Sequence, residues 1–421
     1  MDKCSNEILG LIFEELFLDE TATSKDLANC ALVSKRFNAA ADPFLYRGLR
    51  LRVDEAVESE LDKSPDTTLK PETLELFARM KRMIPEFHKR ANVVHGIEYS
   101  RGAAKHLDLG PPERFFADHV LPFNKIRRLA LYTAWAGASY KGCTWIEIIK
   151  GISHVVVSNP HLEQILVMHK PEPKDYSEDF DLGPVREILE KGSVARVRHV
   201  CIEFMLGNYD EPEEDTWTLT EHMMTVLEGS SGSISRLLLD YTVRSGGSSA
   251  EQSQKAPRKL WNLPNLQELR VHFLGKTTAP LTEMFNLETL SKVDKFYFQS
   301  FVCQYFDEVV ENFSSLLNVR EVTVIILKIN HWVQHLTMPV FSRIHGMIGC
   351  YNATAALARV LRRLERTHFN TEQNDGHVAI MDYTIARSLR LGIVPRVDVV
   401  QTFGHVTEQR YPYLMVGHHV P

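Results

Sequence analysis

A six-residue pattern, apolar-x-x-apolar-x-apolar, recurs along this chain and constrains its fold more than any other feature. Copies stand at Ile126/Leu129/Leu131, Leu162/Ile165/Val167, Val197/Val200/Ile202, Ile234/Leu237/Leu239, Leu266/Leu269/Val271, Val293/Phe296/Phe298 and Val319/Val322/Val324, and a further copy at Tyr46/Leu49/Leu51. The last two apolar residues of each copy are separated by one residue, the alternation of a half-buried strand. Helix-like stretches lie between copies, for example at 145–157, 219–227 and 306–317. From Ile126 the copies start 36, 35, 37, 32, 27 and 26 residues apart, room for one strand and one helix per unit.

Period-two alternation also names the residues on the other side of each strand. They are Ala130 and Tyr132, Leu166 and Met168, Cys201 and Glu203, Leu238 and Asp240, Arg270 and His272, Tyr297 and Gln299, Thr323 and Ile325. A stack of strand-helix units buries one strand face and presents the other as a continuous surface suited to a large partner. From this row Tyr132, Met168, Glu203, Asp240, Arg270, His272, Tyr297 and Gln299 are the candidate target-binding residues, a mixture of the kind interfaces use. Loops are expected at 170–181, at the acidic 208–215 and at the Gly/Ser-rich 244–258. The hexad is expected to stop near residue 331, leaving 331–421, with a mixed-charge helix at 353–366, as a region that caps the last unit.

The hexad resembles the strand portion of a leucine-rich repeat, most plainly in Leu263-Pro264-Asn265-Leu266-Gln267-Glu268-Leu269-Arg270-Val271. The Asn or Cys that usually follows the strand is absent and the units run long, so the resemblance implies an irregular array over 121–330. Between it and the N-terminal segment, 54–120 reads as a helical connecting segment, with apolar spacing at Leu74, Phe77, Met80 and Ile84 after Pro71.

The N-terminal segment has a pattern of its own. Ile8, Leu9, Ile12, Phe13, Leu16 and Phe17 make one wide stripe on a helix that Ser5 can cap; Ser24 opens a second helix through Leu27 and Cys30; Ser34 caps a third through Phe37, which Pro43 ends or bends. Three such short helices cannot hide all of Leu27, Cys30, Leu32, Val33 and Phe37 among themselves, which points to a partner or to the following residues as cover. Residues 7–16, 27–38 and 43–47 together resemble the F-box as fungal F-box proteins write it, over 3–50; Cys4-Ser5 replaces the Leu-Pro pair that usually opens the motif. The resemblance implies that Ile8, Leu9, Ile12, Phe13, Leu16, Leu32, Val33 and Phe37, with Ser34 and Lys35 on the rim, form the surface that inserts into the Skp adaptor of a cullin-based ubiquitin ligase. That is helix-in-groove recognition with aliphatic and aromatic anchors.

Composition excludes several other readings. With 48 basic against 54 acidic residues the 421-residue chain carries a net −6, which does not recruit nucleic acid. No run approaches the ~20 apolar residues of a membrane span, and Asp2 and Glu7 contradict a basic leader, so a cytoplasmic and/or nuclear location is expected. The six cysteines are scattered, without metal or disulfide spacing. Gly137-Ala138-Ser139-Tyr140-Lys141-Gly142-Cys143-Thr144 nearly spells a phosphate-binding loop, but Cys143 stands where the essential lysine belongs. There is no His-Glu-x-x-His, nucleophile elbow or dinucleotide glycine fingerprint. The expectation is an α/β protein, a short three-helix F-box followed by an irregular leucine-rich-repeat-like solenoid of strand-helix units. It is a non-enzymatic substrate-recognition subunit with no cofactor, metal, nucleic-acid or membrane partner, binding the Skp adaptor, through it a cullin, and a target protein. The alternatives are a repeat scaffold outside any ligase and a nucleotide-binding α/β enzyme.

Overall fold

The computed structural model describes residues 5–18, 24–51, 70–100, 107–119, 123–133, 144–169, 181–192, 195–204, 217–241, 260–273, 281–300, 312–326, 357, 359–372, 378–384 and 397–401. Each hexad is a strand. The sheet has 12 strands in the order of the chain: β1 (Gly48–Leu51), β2 (Gly96–Ser100), β3 (Arg128–Tyr132), β4 (Gln164–His169), β5 (His199–Phe204), β6 (Arg236–Tyr241), β7 (Glu268–Phe273), β8 (Lys295–Ser300), β9 (Glu321–Ile326), β10 (Arg366–Glu372), β11 (Val378–Thr384) and β12 (Val397–Gln401). Neighbours from β1 to β10 pair in parallel; β11 and β12 close the sheet antiparallel.

Register keeps equivalent hexad positions side by side: Leu49 pairs with Ile97, Ile97 with Leu129, and so on to Phe296 and Val322. The apolar side chains at each pair of positions therefore stack as continuous ribs facing the crossover segments, and the opening hexad residues from Ile126 to Val319 lie at full burial beneath the strands. One apolar core runs unbroken from Leu49 to Leu364.

Two parallel strands were not expected. Strand β2 lies inside the segment read as a helical connection, carried by Val94/Ile97/Tyr99, which is itself a hexad with an aromatic in its last place. Its Tyr99 is buried and donates to the Gly110 carbonyl at 2.5 Å. Strand β10 lies inside the presumed cap, where Leu364/Thr367/Phe369 breaks the apolar rule at Thr367. The helix expected over 353–366 is replaced in its last residues by a turn and the start of this strand.

The helices follow from capping and period. In the N-terminal bundle α1 is Asn6–Leu18, α2 Ser24–Val33 and α3 Lys35–Leu45. Pro43 sits in the last turn of α3, which continues to Leu45. Next, α4 (Pro71–Lys89) begins on a proline, whose missing N–H costs nothing there. Then α5 (Pro112–His119) and α6 (Trp145–Ser158) pack together; α7 (Gly183–Leu189), α8 (Trp217–Leu227) and the single turn α9 (Leu287–Leu290) fill later crossovers. A capping box opens α6: the Thr144 hydroxyl accepts from the Glu147 N–H, and the Glu147 carboxylate accepts from the Thr144 N–H at 2.8 Å. Burial of Trp145, Ile148, Ile149, Ile152, Val155 and Val156 follows its helical spacing.

Polar side chains in the crossovers tie one unit to the next. Buried Asn159 accepts from the Ile126 N–H at 3.0 Å and donates to the Val155 carbonyl at 3.2 Å. Ser230 donates to the Ala195 carbonyl, Asn265 to Gly232, and Thr289 accepts from the Leu263 N–H at 2.7 Å. Apart from the Asn159–Val155 bond at the end of α6, each joins positions one unit apart in the sequence.

Candidate functional site: an exposed apolar face on the N-terminal helices

The three N-terminal helices have a small core of their own, Phe13, Leu27, Ala31 and Ala41, with Cys30, Phe37, Ala40, Phe44 and Leu45 packed around it. Local signals set the helices. The Ser5 hydroxyl accepts from the Ile8 N–H at 3.3 Å, and the Ser34 hydroxyl accepts from the Phe37 N–H at 3.2 Å, its backbone extended as an N-cap requires. The end of α3 is fastened to the end of α4. Arg90 Nε lies 3.0 Å from the Asp42 carboxylate, the Arg90 guanidinium covers the Tyr46 ring at 4.2 Å, and Tyr46 meets Phe87 edge-on at 5.2 Å. Glu86, 2.8 Å from Arg90, helps hold that guanidinium; hydrogen bonds from Lys89 and then Arg90 lower its carboxyl pKa.

Several apolar side chains stay outside this small core. Ile8, Leu11 and Ile12 are exposed along α1, Ile12 at 52%, and Leu32 and Val33 end α2 exposed, Leu32 at 82%. Lys35 beside them is exposed, and Ser34 keeps its cap. The stripe read as one anchoring surface therefore divides in two. Leu9 at 3% and Phe13 at 2% are buried inward, and Phe37 is half-buried edge-on against Phe13 at 5.9 Å. A stripe that includes both i, i+1 and i, i+4 neighbours spans too wide an arc to face one partner, and the bundle's own core takes the inner half. Leu16 has its side chain outside the described residues. Leu11 was missed, although it completes the i, i+3, i+4 set with Ile8 and Ile12.

The second expected surface also changes on inspection. Ala130, Leu166, Cys201 and Leu238, with Tyr132 against them, form a second apolar cluster separate from the main core, so they do lie off the core side of the sheet. They are buried there, Leu166 to 1%, and so are Met168, Glu203 and Arg270, which alternation had placed on an open face. In-register parallel pairing is one cause: each side chain on the row has another about 4.8 Å away on either side. Arg270 lays its guanidinium over the half-buried Tyr297 ring at 4.7 Å, so these two candidates are brought together. Asp240, His272 and Gln299 occupy paired positions on β6, β7 and β8, with their side chains outside the described residues.

The phosphate-loop look-alike at 137–143 lies outside the described residues, and Thr144 is engaged in the α6 capping box. Among the described residues no helix is long and apolar enough to cross a membrane.

The exposed face belongs to a segment with known counterparts: residues 6–52 match the family of F-box-like domains. Across the whole chain no curated protein matches. The chain thus carries an F-box-like domain ahead of a mixed α/β region built on a parallel sheet.

Proposed function

We propose that this protein is a substrate-recognition subunit of a Skp-cullin-F-box ubiquitin ligase, docking on the Skp adaptor through Ile8, Leu11, Ile12, Leu32 and Val33. The observation that carries the reading is an F-box-like domain that has a core of its own and still leaves these large apolar side chains exposed. Seating each would contribute roughly 1.5–3 kcal/mol, enough in sum to offset the cost of association. Leu9, Phe13 and Phe37 support that face from beneath, Ser34 fixes the junction of α2 and α3, and Lys35 lies at its edge.

In this reading the strand region is an irregular leucine-rich-repeat-like array that holds the target protein. Support comes from sequential parallel strands at one per crossover unit, the geometry in which successive units share one continuous face. The chain does no bond chemistry itself and needs no cofactor; it brings a target close to a conjugating enzyme supplied by the complex, in the cytoplasm and/or nucleus.

The test is co-purification with the Skp adaptor, native chain against an Ile12→Asp/Leu32→Asp variant. Both positions are exposed, so the variant keeps its circular dichroism and melting temperature while adaptor capture is expected to fall at least a hundredfold. A folded native chain that captures no adaptor would make the protein a scaffold outside any ligase.

A further inference from the structure

Just before each strand, a ladder of backbone hydrogen bonds crosses the sheet at its N-terminal rim. The His95 N–H donates to the Arg47 carbonyl at 2.7 Å, Arg127 to His95 at 2.7 Å, Glu163 to Arg127 at 2.8 Å, Arg198 to Glu163 at 2.9 Å and Ser235 to Arg198 at 2.9 Å. One residue further on, Gly48, Gly96, Arg128, Gln164, His199 and Arg236 pair in register. Over β1 to β6 these two rows hold Arg47, Arg127, Arg128, Arg198 and Arg236, with Glu163 the only acid within them; Arg236, at the far end, is paired with Glu268 of β7 at 3.4 Å. From β7 to β10 the equivalent positions mix Glu268, Asp294, Lys295, Arg320, Glu321, Glu365 and Arg366, with pairs such as Lys295–Glu321 at 3.7 Å. Positive charge is thus gathered on one stretch of a chain whose net charge is −6.

The rim also has a shaped place within it. At Gly48 a side chain would meet nothing within 4 Å, and at Gly96 only the Arg128 Cβ at 4.0 Å. Two adjacent strands therefore begin with bare backbone, leaving a notch with Arg128 as one wall. His95, on the same rim, has a buried Nδ1 without a hydrogen-bond partner. Lys125, Arg127 and Arg198 are exposed around it.

We propose that the rim of β1–β6 binds an acid-rich polypeptide segment, one carboxylate of which sits over Gly48 and Gly96 against Arg128. The five strand spacings of about 4.8 Å give a track of about 24 Å, the length of about seven extended residues. Burial and then Arg47, Arg127 and Lys125 push the His95 pKa down to about 4; burial and then Arg47 lower that of Arg128, against Glu163, which raises it. An incoming carboxylate offsets the cationic part of each shift. No Phe, Tyr or Trp stands at these rim positions, which favours a peptide over single-stranded nucleic acid, which needs stacking platforms.

This deepens, and rests on, the assignment of target binding to the strand region. The test uses the full chain without adaptor and a fluorescein-labelled octaglutamate, read by anisotropy across a salt series, with labelled octauridylate in parallel. Expected are saturable peptide binding that weakens steeply with salt, at least tenfold weaker binding by Arg127→Glu/Arg198→Glu, recovery by Arg127→Lys/Arg198→Lys, and several-fold weakening by the charge-neutral Gly96→Leu. Native-like binding by the charge-reversed variant, or tighter binding of octauridylate than of octaglutamate, overturns the proposal; unchanged binding by Gly96→Leu overturns the seat at the notch. Adaptor capture measured on the same preparations separates the two readings: a chain that captures adaptor and ignores the peptide defeats the rim alone.

Discussion

His222 on α8 shows how much one half-buried group contributes to the behaviour of the fold. Burial alone brings its pKa from 6.5 to about 4, so the folded chain holds a neutral imidazole where the unfolded chain would already be charged. The unfolded state then binds the extra proton first, and stability falls as pH drops from about 6.5 toward 4, with no further loss from this group below that. Urea midpoints measured from pH 7 to pH 4 are expected to decline, and the decline to flatten in His222→Gln, while His95, lowered for its own reasons, continues to contribute in that variant. At this same scale the F-box residues divide by what each touches. Phe13 fills the core of the small bundle and Leu32 touches mainly water. Sequence periodicity put both on one stripe, because the period records that a side chain is apolar and leaves open what covers it.

Between elements, one close approach is that of α5 and α6. A Cβ on Gly151 would lie 3.0 Å from the Phe116 ring and 3.1 Å from the Pro112 carbonyl carbon, so the two helices meet through a position with no side chain. Gly151→Val is expected to destabilise by about 1–3 kcal/mol through overpacking, read as a lower urea midpoint with an unchanged slope; an unaltered midpoint would mean that the helices separate without cost. Individual elements were legible to different degrees. Helix α6 was, since its threonine cap, Glu147 and regular apolar spacing all agree. Strand β2 was hidden by a tyrosine in the last hexad place, and β10 by a threonine in the middle one. In both cases pairing with a neighbouring strand supplies the backbone hydrogen bonds, so the strand forms without a full apolar set.

Across the described residues the strands lie in the sheet in chain order, β1 to β12. Leu357, Leu361 and Leu364 are buried in the main core at the far end, where β10 pairs with β9. Removing residues from 327 onward is therefore expected to uncover Leu316, Val319 and Val322 and the β9 edge. The shortened chain should bind more of a hydrophobic dye than the full chain and aggregate more readily; a truncation that matches the full chain in both would show that the last three strands are not needed as cover. From its residues alone this chain determines a strand at each hexad, the side of each strand that faces the core, and a separate three-helix module at the start. Those follow from local periodicity and capping, which act over a few residues. Only the tertiary structure decides the rest: that the sheet continues into β2 and β10–β12, that Leu166, Glu203 and Arg270 are buried on the face opposite the core, that Leu9 and Phe13 turn inward while Ile12 and Leu32 stay out, and that arginines scattered between positions 47 and 236 line up on one rim. Each depends on strand register, which sets side by side residues far apart in sequence.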